Sequence, residues 1–412
     1  MMATRHSALG RWAIRFLWGV ALLSLCSDFI ANERPLYCRI DGQSYYPVLR
    51  QYGVSLGLAN WEGWMLQEPW QEREYERVVF APIPYSAGTI DHRNTRFVGP
   101  FDEQRIRSKR FRHWLGTDHL GRDVAAGLIG GARTALLVGL VSMAIAGLIG
   151  IFLGGFAGYL GDHRMRLPLS TILLNALGGY LGLFYGFIGR QYQLAQAGEE
   201  GRTVVALLAG AAILLGVLVG VNILAWGLAR LFPRQPKVRI PADLLVMRLI
   251  EIMNSIPALF LILSVAAIIS RPSIFYIMVI IGLLSWTGIA RFVRAEMLRI
   301  RELEYIKAAE VLGYGQWRIL LRHALPNALT PVLITLAFGA AGAILSEATL
   351  SFLGIGVAPE EVTWGSMLSE ARQNFSAWWL AIFPGLAIFL TVTSLNLLGD
   401  RLNKTLDPRL RK

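Results

Sequence analysis

Cysteine is nearly absent from this chain of 412 residues, which holds only Cys26 and Cys38. Two thiols cannot build a disulfide framework. No Gly-Lys dipeptide occurs, so the chain has no Walker A loop of its own. It also lacks a His-Glu-x-x-His sequence, and its six histidines are scattered. No Ser/His/Asp or Cys/His set stands out. These absences argue against a hydrolase, a zinc protease and a self-contained ATPase. Charge is sparse as well: Asp, Glu, Lys and Arg make up 17% of the residues, and acids (28) are outnumbered by bases (40).

Apolar residues are abundant, at 54%, and mean hydropathy is +0.46. That balance belongs to polytopic membrane proteins. A bilayer core needs about 20 apolar residues per helix. Eight runs qualify: 12–30, 132–157, 167–188, 203–231, 244–269, 274–290, 328–346 and 377–399. The first contains Arg15, which must snorkel. Leu23-Ser24-Leu25-Cys26 is a poor lipidation box because Leu25 is too large, and no A-x-A-like cleavage site follows. Residues 12–30 are therefore read as a retained helix.

The net charge of +12 follows topology. With the N-terminus inside, segments 1–15, 158–166, 229–243, 291–327 and 400–412 face the cytoplasm and carry 21 Lys and Arg. The short outside segments 189–202, 270–273 and 347–376 carry 4. This is the positive-inside asymmetry; the long segment 31–131 is exempt from it. Both termini are expected in the cytoplasm, and no nucleic-acid partner is implied.

The expected domains are an N-terminal transmembrane helix (1–30), a periplasmic loop or domain (31–131) and a first core helix (132–162). An inserted two-helix hairpin (163–240), a core (241–400) containing loop 303–326, and a basic tail (401–412) follow. In the second of these, Tyr37 to Tyr46 alternates like a strand pair around Asp41-Gly42. Trp61, Trp64 and Trp70 are read as packing that segment or lying at the interface. Gly150/154/158, Gly178/182/186 and Gly216/220 have the spacing of helix–helix faces. His113, Asp118, His119 and Asp123 form the densest polar cluster, read as a turn and helix cap more than as a metal site.

Four motifs carry function. Leu115-Gly116-Thr117-Asp118-His119-Leu120-Gly121-Arg122-Asp123-Val124 pairs two glycines for a tight turn with capping aspartates. Residues 303–312 read as a short helix stopped by Gly313, with His323-Ala324-Leu325-Pro326 ending the loop. Ile344 to Gly356, with Glu347 inside it, is followed by Trp364-Gly365-Ser366-Met367-Leu368. Met247-Arg248, Glu251 and Ser255-Ile256-Pro257 complete the set, Arg248 and Glu251 being i, i+3 neighbours able to pair.

The first motif resembles the LGTDxxGRDV signature of dipeptide and oligopeptide ABC-importer permeases, C-type subunit. The second resembles that family's EAA loop, the third its EAxLSFLGxG…WGxML segment, and the fourth its MRxxDxxxSIP helix. Lys307 stands where the EAA loop usually has Glu, and Glu251 where the helix usually has Asp. Residues 25–42 look like the microcin C type branch. The resemblance implies an all-α polytopic membrane protein with a type I ABC-importer fold: six family-like helices plus the inserted hairpin. It implies an inner-membrane permease subunit importing peptides or peptide-like compounds. No cofactor is expected on this chain; ATP and magnesium would sit on a partner ATPase. A second, different permease and a solute-binding protein would complete the assembly in the lipid bilayer.

By the same resemblance, Tyr305, Lys307, Ala308, Ala309, Glu310, Gly313 and Pro326 would meet the ATPase. Arg248, Glu251 and Glu347 are candidates for the gate or translocation path, or lie at headgroup level and a helix end. Gly116, Thr117, Asp118, Gly121, Arg122 and Asp123 form the periplasmic signature, structural or in contact with substrate. A nickel or metal importer of the same family and an ATPase-independent secondary transporter remain alternatives.

Overall fold

The computed structural model describes residues 2–66, 69–162, 164–199, 203–232, 235–268, 273–355, 358 and 361–406, without the side chains of 2–8, 198–199, 203–204, 266–268, 330 and 406. Gly356 of the third motif and most of the expected basic tail lie outside these residues. The chain runs α1 (Met2–Leu25), α2 (Ser27–Ile30), β1 (Tyr37–Ile40), β2 (Gln43–Tyr45), α3 (Pro47–Ser55) and β3 (Arg77–Val79) into α4 (Val124–Leu160). Next come β4 (Arg166–Pro168), α5 (Leu169–Gly186), α6 (Gln191–Glu199), α7 (Thr203–Leu231) and β5 (Lys237–Arg239). Then follow α8 (Ala242–Ser255), α9 (Ala258–Ile268), α10 (Ile274–Ile300), α11 (Glu304–Val311) and α12 (Gln316–Ile319). The last three are α13 (Leu325–Phe352), α14 (Trp364–Gln373) and α15 (Trp379–Leu406).

Among the described residues, six helices are long and apolar enough to cross a membrane, and a bent pair, α8 with α9, makes seven. The bend is 77°. It falls where the sequence reading expected one span, 244–269. Pro257 has no N–H to donate and forces Ile256 out of the helical region, to φ −103° and ψ 126°. The first expected span is not among the six. Arg11 and Arg15 shorten the charge-free apolar part of α1 to Phe16–Leu25.

Contacts divide the chain into two units. One comprises residues 1–145, 273–285 and 333–412. Its extramembrane part holds an antiparallel sheet ordered β2-β1-β3, with Cys38 opposite both Tyr45 and Val78. Asp41 and Gly42 turn the hairpin with φ of 50° and 77°, the backbone a two-residue turn between twisted strands requires. Cys38, Met65 and Trp70 are buried beneath it, with Trp61 and Trp64 packed on them. The tryptophans therefore build the core of this segment. Burial raises the Cys38 thiol to about 11, so it is unreactive at neutral pH.

A second apolar cluster joins Val124, Ala132 and Ala135 of α4 to Ile344 and Ala348 of α13, Trp364 and Met367 of α14, and Trp379 and Leu380 of α15. Trp364 lies over Gly131 and donates its indole N–H to the Leu128 carbonyl at 3.0 Å. α4 starts at Val124, eight residues before the expected 132, because Asp123 caps it: Oδ1 accepts the Ala126 N–H at 2.7 Å.

The other unit comprises residues 146–272 and 286–332. Here Gly150, Gly154 and Gly158 of α4 lie against Ile289, Ala290 and Met297 of α10, with backbone so near that a Cβ would collide. α5 and α7 form the inserted hairpin. Gly178 meets Val221, Gly182 meets Leu214, and Gly186 meets Gly210. Among the described residues nothing lies within 4 Å of a Cβ at Gly216 or Gly220, contrary to the reading that they mark a helix–helix face within this chain. The side of α7 that turns to α5 carries Gly210, Leu214 and Val221 instead. At the hairpin's base β4 and β5 pair antiparallel, Arg166 opposite Arg239 and Leu167 opposite Val238.

Candidate functional site

The signature decapeptide folds into a tight, buried loop ahead of α4. Gly121 has φ +92°, and a side chain there would strike the Asp91 carbonyl. Thr117 is fully buried, donates Oγ1 to the Asn94 carbonyl at 2.8 Å and accepts the Val98 N–H at 3.1 Å. Trp379 of α15 donates its indole N–H to the Thr117 carbonyl at 3.0 Å. Gly116, at φ +82°, lies close to the Val98 carbonyl.

The expected polar cluster is two clusters. In the first, Asp118 accepts the N–H groups of Leu120 (2.9 Å) and Arg122 (2.8 Å), while Arg122 Nε donates to Asp118 Oδ2 at 2.5 Å. The same guanidinium donates to Glu370 Oε1 of α14 at 2.6 Å. His119 Nδ1 lies 3.0 Å from Glu370 Oε2. Burial, then the neighbouring Asp118, raises the Glu370 carboxyl above the ordinary range. Asp118, His119 and Glu370 lie close enough together to hold a metal ion. Arg122 already donates to both carboxylates.

In the second cluster, buried His113 bridges two carboxylates, Asp123 Oδ2 at 2.9 Å and Asp91 Oδ2 at 3.2 Å. Tyr85 stacks on the ring at 4.3 Å. Burial would lower the imidazole, but hydrogen bonds to Asp123 and Asp91 outweigh it and raise it. Burial would also raise Asp91, yet bonds from His113, Asn94 and the Arg93 N–H hold it at about 2. The signature residues seal a loop, cap α4 and tie it to α14 and α15. Asp91 and Glu370 escaped the sequence reading. Glu370 is 248 residues from Arg122, and its one local signal is its place on the buried face of α14 with Trp364 and Met367.

Loop 303–326 is built differently. After α11, the Gly313 N–H bonds the Glu310 carbonyl (3.0 Å) and the Tyr314 N–H the Ala309 carbonyl (3.2 Å). This is a Schellman stop, with Gly313 at φ +78°. Among the described residues nothing lies within 4 Å of a Cβ placed there, so the position is open but left-handed. Val311 (88% exposed), Leu312, Tyr305, Tyr314 and Trp317 leave a run of apolar surface on this polar loop. Ala308 and Lys307 are exposed, but Ala309 is buried and packs inward rather than toward a partner. Lys307 pairs with Glu302 at 3.2 Å. Glu310 accepts from Arg164 at 2.6 Å, and Pro326 sits in the first turn of α13.

The remaining candidates belong to different units. Arg248 and Glu251 do pair, at 2.6 Å, and both are exposed. Glu347 is buried at 2% exposure and accepts from Ser351 Oγ at 2.6 Å. α13 continues past it to Phe352.

Residues 237–412 match the family model described as "Binding-protein-dependent transport system inner membrane component". An inner membrane ABC transporter permease protein, YejE of Escherichia coli, is 28% identical over 98% of this chain and 94% of its own length. A peptidoglycan transport system permease protein of Agrobacterium fabrum, also called YejE, is 27% identical over 97% of this chain and 90% of its own. The glutathione transport system permease protein GsiD of Pectobacterium atrosepticum is 30% identical over 73% of this chain and 74% of its own. With six membrane-length helices among the described residues and the signature loop in place, this chain belongs to the ABC transporter permeases of binding-protein-dependent transport systems.

Proposed function

We propose that the chain is one of two different membrane subunits of an inner-membrane importer, and that loop 303–326 receives the closing motion of a separate ATPase. The exposed apolar run on α11 and after it carries this reading, since such a surface on a polar loop needs a protein partner. Motion at α11 has a firm path inside its own unit. Glu310 is tied to Arg164, Arg301 of the α10 end bonds the Gly158 carbonyl, and Arg294 of α10 binds Asp243 of α8. ATP and magnesium belong to the ATPase, and a solute-binding protein delivers the cargo from outside.

Peptides or peptide-like compounds are the proposed cargo. The relatives' names, which speak of peptidoglycan and glutathione transport, support this. In the proposed orientation α1 and the bent pair α8–α9 each cross the membrane along with the six membrane-length helices, so both termini face the cytoplasm, in keeping with the 21-to-4 split of Lys and Arg between inside and short outside segments. The test is uptake of a labelled peptide into cells carrying Gly313→Val. A β-branched residue at φ +78° breaks the stop after α11. Uptake should fall at least tenfold with the chain still in the membrane; normal uptake by Gly313→Val refutes the docking role.

A further inference from the structure

The inserted hairpin has a chemically distinct foot. In the β4–β5 ribbon Arg166 and Arg239 are directly opposite and so share a face. Lys237, two residues from Arg239, points the same way, while Leu167 and Val238 take the other face. Arg166, Lys237 and Arg239 are exposed, and no carboxylate among the described residues pairs with them. None can come from nearby sequence, because 163–198 and 201–240 contain no Asp or Glu. The acids around the insertion are engaged: Asp162 caps the Leu244 N–H, Asp243 binds Arg294, and Glu310 binds Arg164. Like charges directly across an antiparallel pair oppose the pairing. A register that places two arginines face to face, with a lysine beside them, is one an anion would stabilise.

Connectivity says at what depth such an anion would lie. β4 ends at Pro168 and the membrane-length segment begins at Leu169; the other runs to Leu231, six residues before β5. In the last turns of α7, Arg230 lies 3.8 Å over the Trp226 ring, an aromatic and a cation of the kind found at headgroup depth. The ribbon is therefore held at the level of the lipid phosphates. Two guanidinium forks and an ammonium suit a phosphodiester oxygen cluster.

We propose that Arg166, Lys237 and Arg239 on the ribbon's cationic face bind the phosphodiester headgroup of an anionic phospholipid where the inserted hairpin leaves the bilayer.

The test uses the full chain in detergent, with lipid retention read by native mass spectrometry after adding phosphatidylglycerol or phosphatidylcholine. The variant R166Q/K237Q/R239Q should lose about a hundredfold in phosphatidylglycerol affinity, with phosphatidylcholine retention unchanged. The equal charge removal R77Q/R96Q/K109Q, in the extramembrane segment, should retain phosphatidylglycerol as the wild type does. If the triple ribbon variant fails to fold, Lys237→Gln alone should still weaken retention about fivefold. Equal retention by the ribbon variant overturns the proposal. So does an equal loss in the extramembrane variant, which would make the effect one of net charge. Displacement of the lipid by inorganic phosphate at matching concentration would show a free-anion site and overturn the lipid assignment.

Discussion

Arg122 holds two carboxylates at once, Asp118 at 2.5 Å and Glu370 at 2.6 Å, in a place where all three side chains are largely hidden from water. Such a network gains little over an apolar packing, but losing one member is costly because the others remain buried and charged. Arg122→Ala should therefore destabilise the protein by about 3–5 kcal/mol. Thermal unfolding in detergent reads this, and a variant as stable as the wild type would contradict the geometry. Arg122→Lys should not restore full stability, because one ammonium cannot reproduce the two-armed fork. His113 gives a pH signature. Its proton is held more tightly in the folded state than the ordinary imidazole value of about 6.5. The stabilisation is complete below about pH 6.5 and fades as pH rises through the folded value. His113→Asn should remove that share of the pH slope, and an unchanged slope would place the titration elsewhere. Asp91 works in reverse: its contribution is lost only as pH falls from about 4 toward about 2. The cap at Asp123 and the stop at Gly313 were legible from residue type, since both are local. The partner Glu370 was not, because nothing near Arg122 announces a contact 248 residues away.

Single elements show where counting apolar residues succeeds and where it fails. The run 244–269 is apolar enough for one span, yet Ile256-Pro257 splits it into α8 and α9. The proline rule was available in the sequence and is stronger than hydropathy, because a missing donor and a ring clash cannot be averaged over a window. Gly216 and Gly220 fail for another reason. Small-residue spacing shows that a helix can be approached closely, not that one does approach it. The ladder on α5 is used because α7 offers Gly210 and a matching row of Leu214 and Val221. Filling it should destabilise the hairpin: Gly182→Leu, where a Cβ would meet Leu214, is expected to cost about 1–3 kcal/mol in thermal unfolding in detergent. A variant as stable as the wild type would argue that the hairpin tolerates repacking. The strand pair at Tyr37–Tyr45 was legible from its alternation around Asp41-Gly42, whereas β3, which completes the sheet, carries no turn beside it to signal pairing.

For the whole molecule, composition and the membrane-length helices point to a polytopic membrane protein. A single cysteine at 195, between α5 and α7, should react with a membrane-impermeant reagent from outside, and one at 237 only from inside. The reverse pattern would contradict the proposed topology. The central claim is mechanical: an exposed apolar loop, stopped by Gly313 and tied through Glu310 to Arg164, is where a partner ATPase pushes. The most direct measurement is co-purification of the chain with the proteins encoded beside it, followed by ATP hydrolysis in the purified assembly. The account predicts a bound ATPase that is lost, or loses its coupling to peptide delivery, in Gly313→Val. A chain that purifies alone and transports without hydrolysis, or an ATPase indifferent to Gly313→Val, would contradict it.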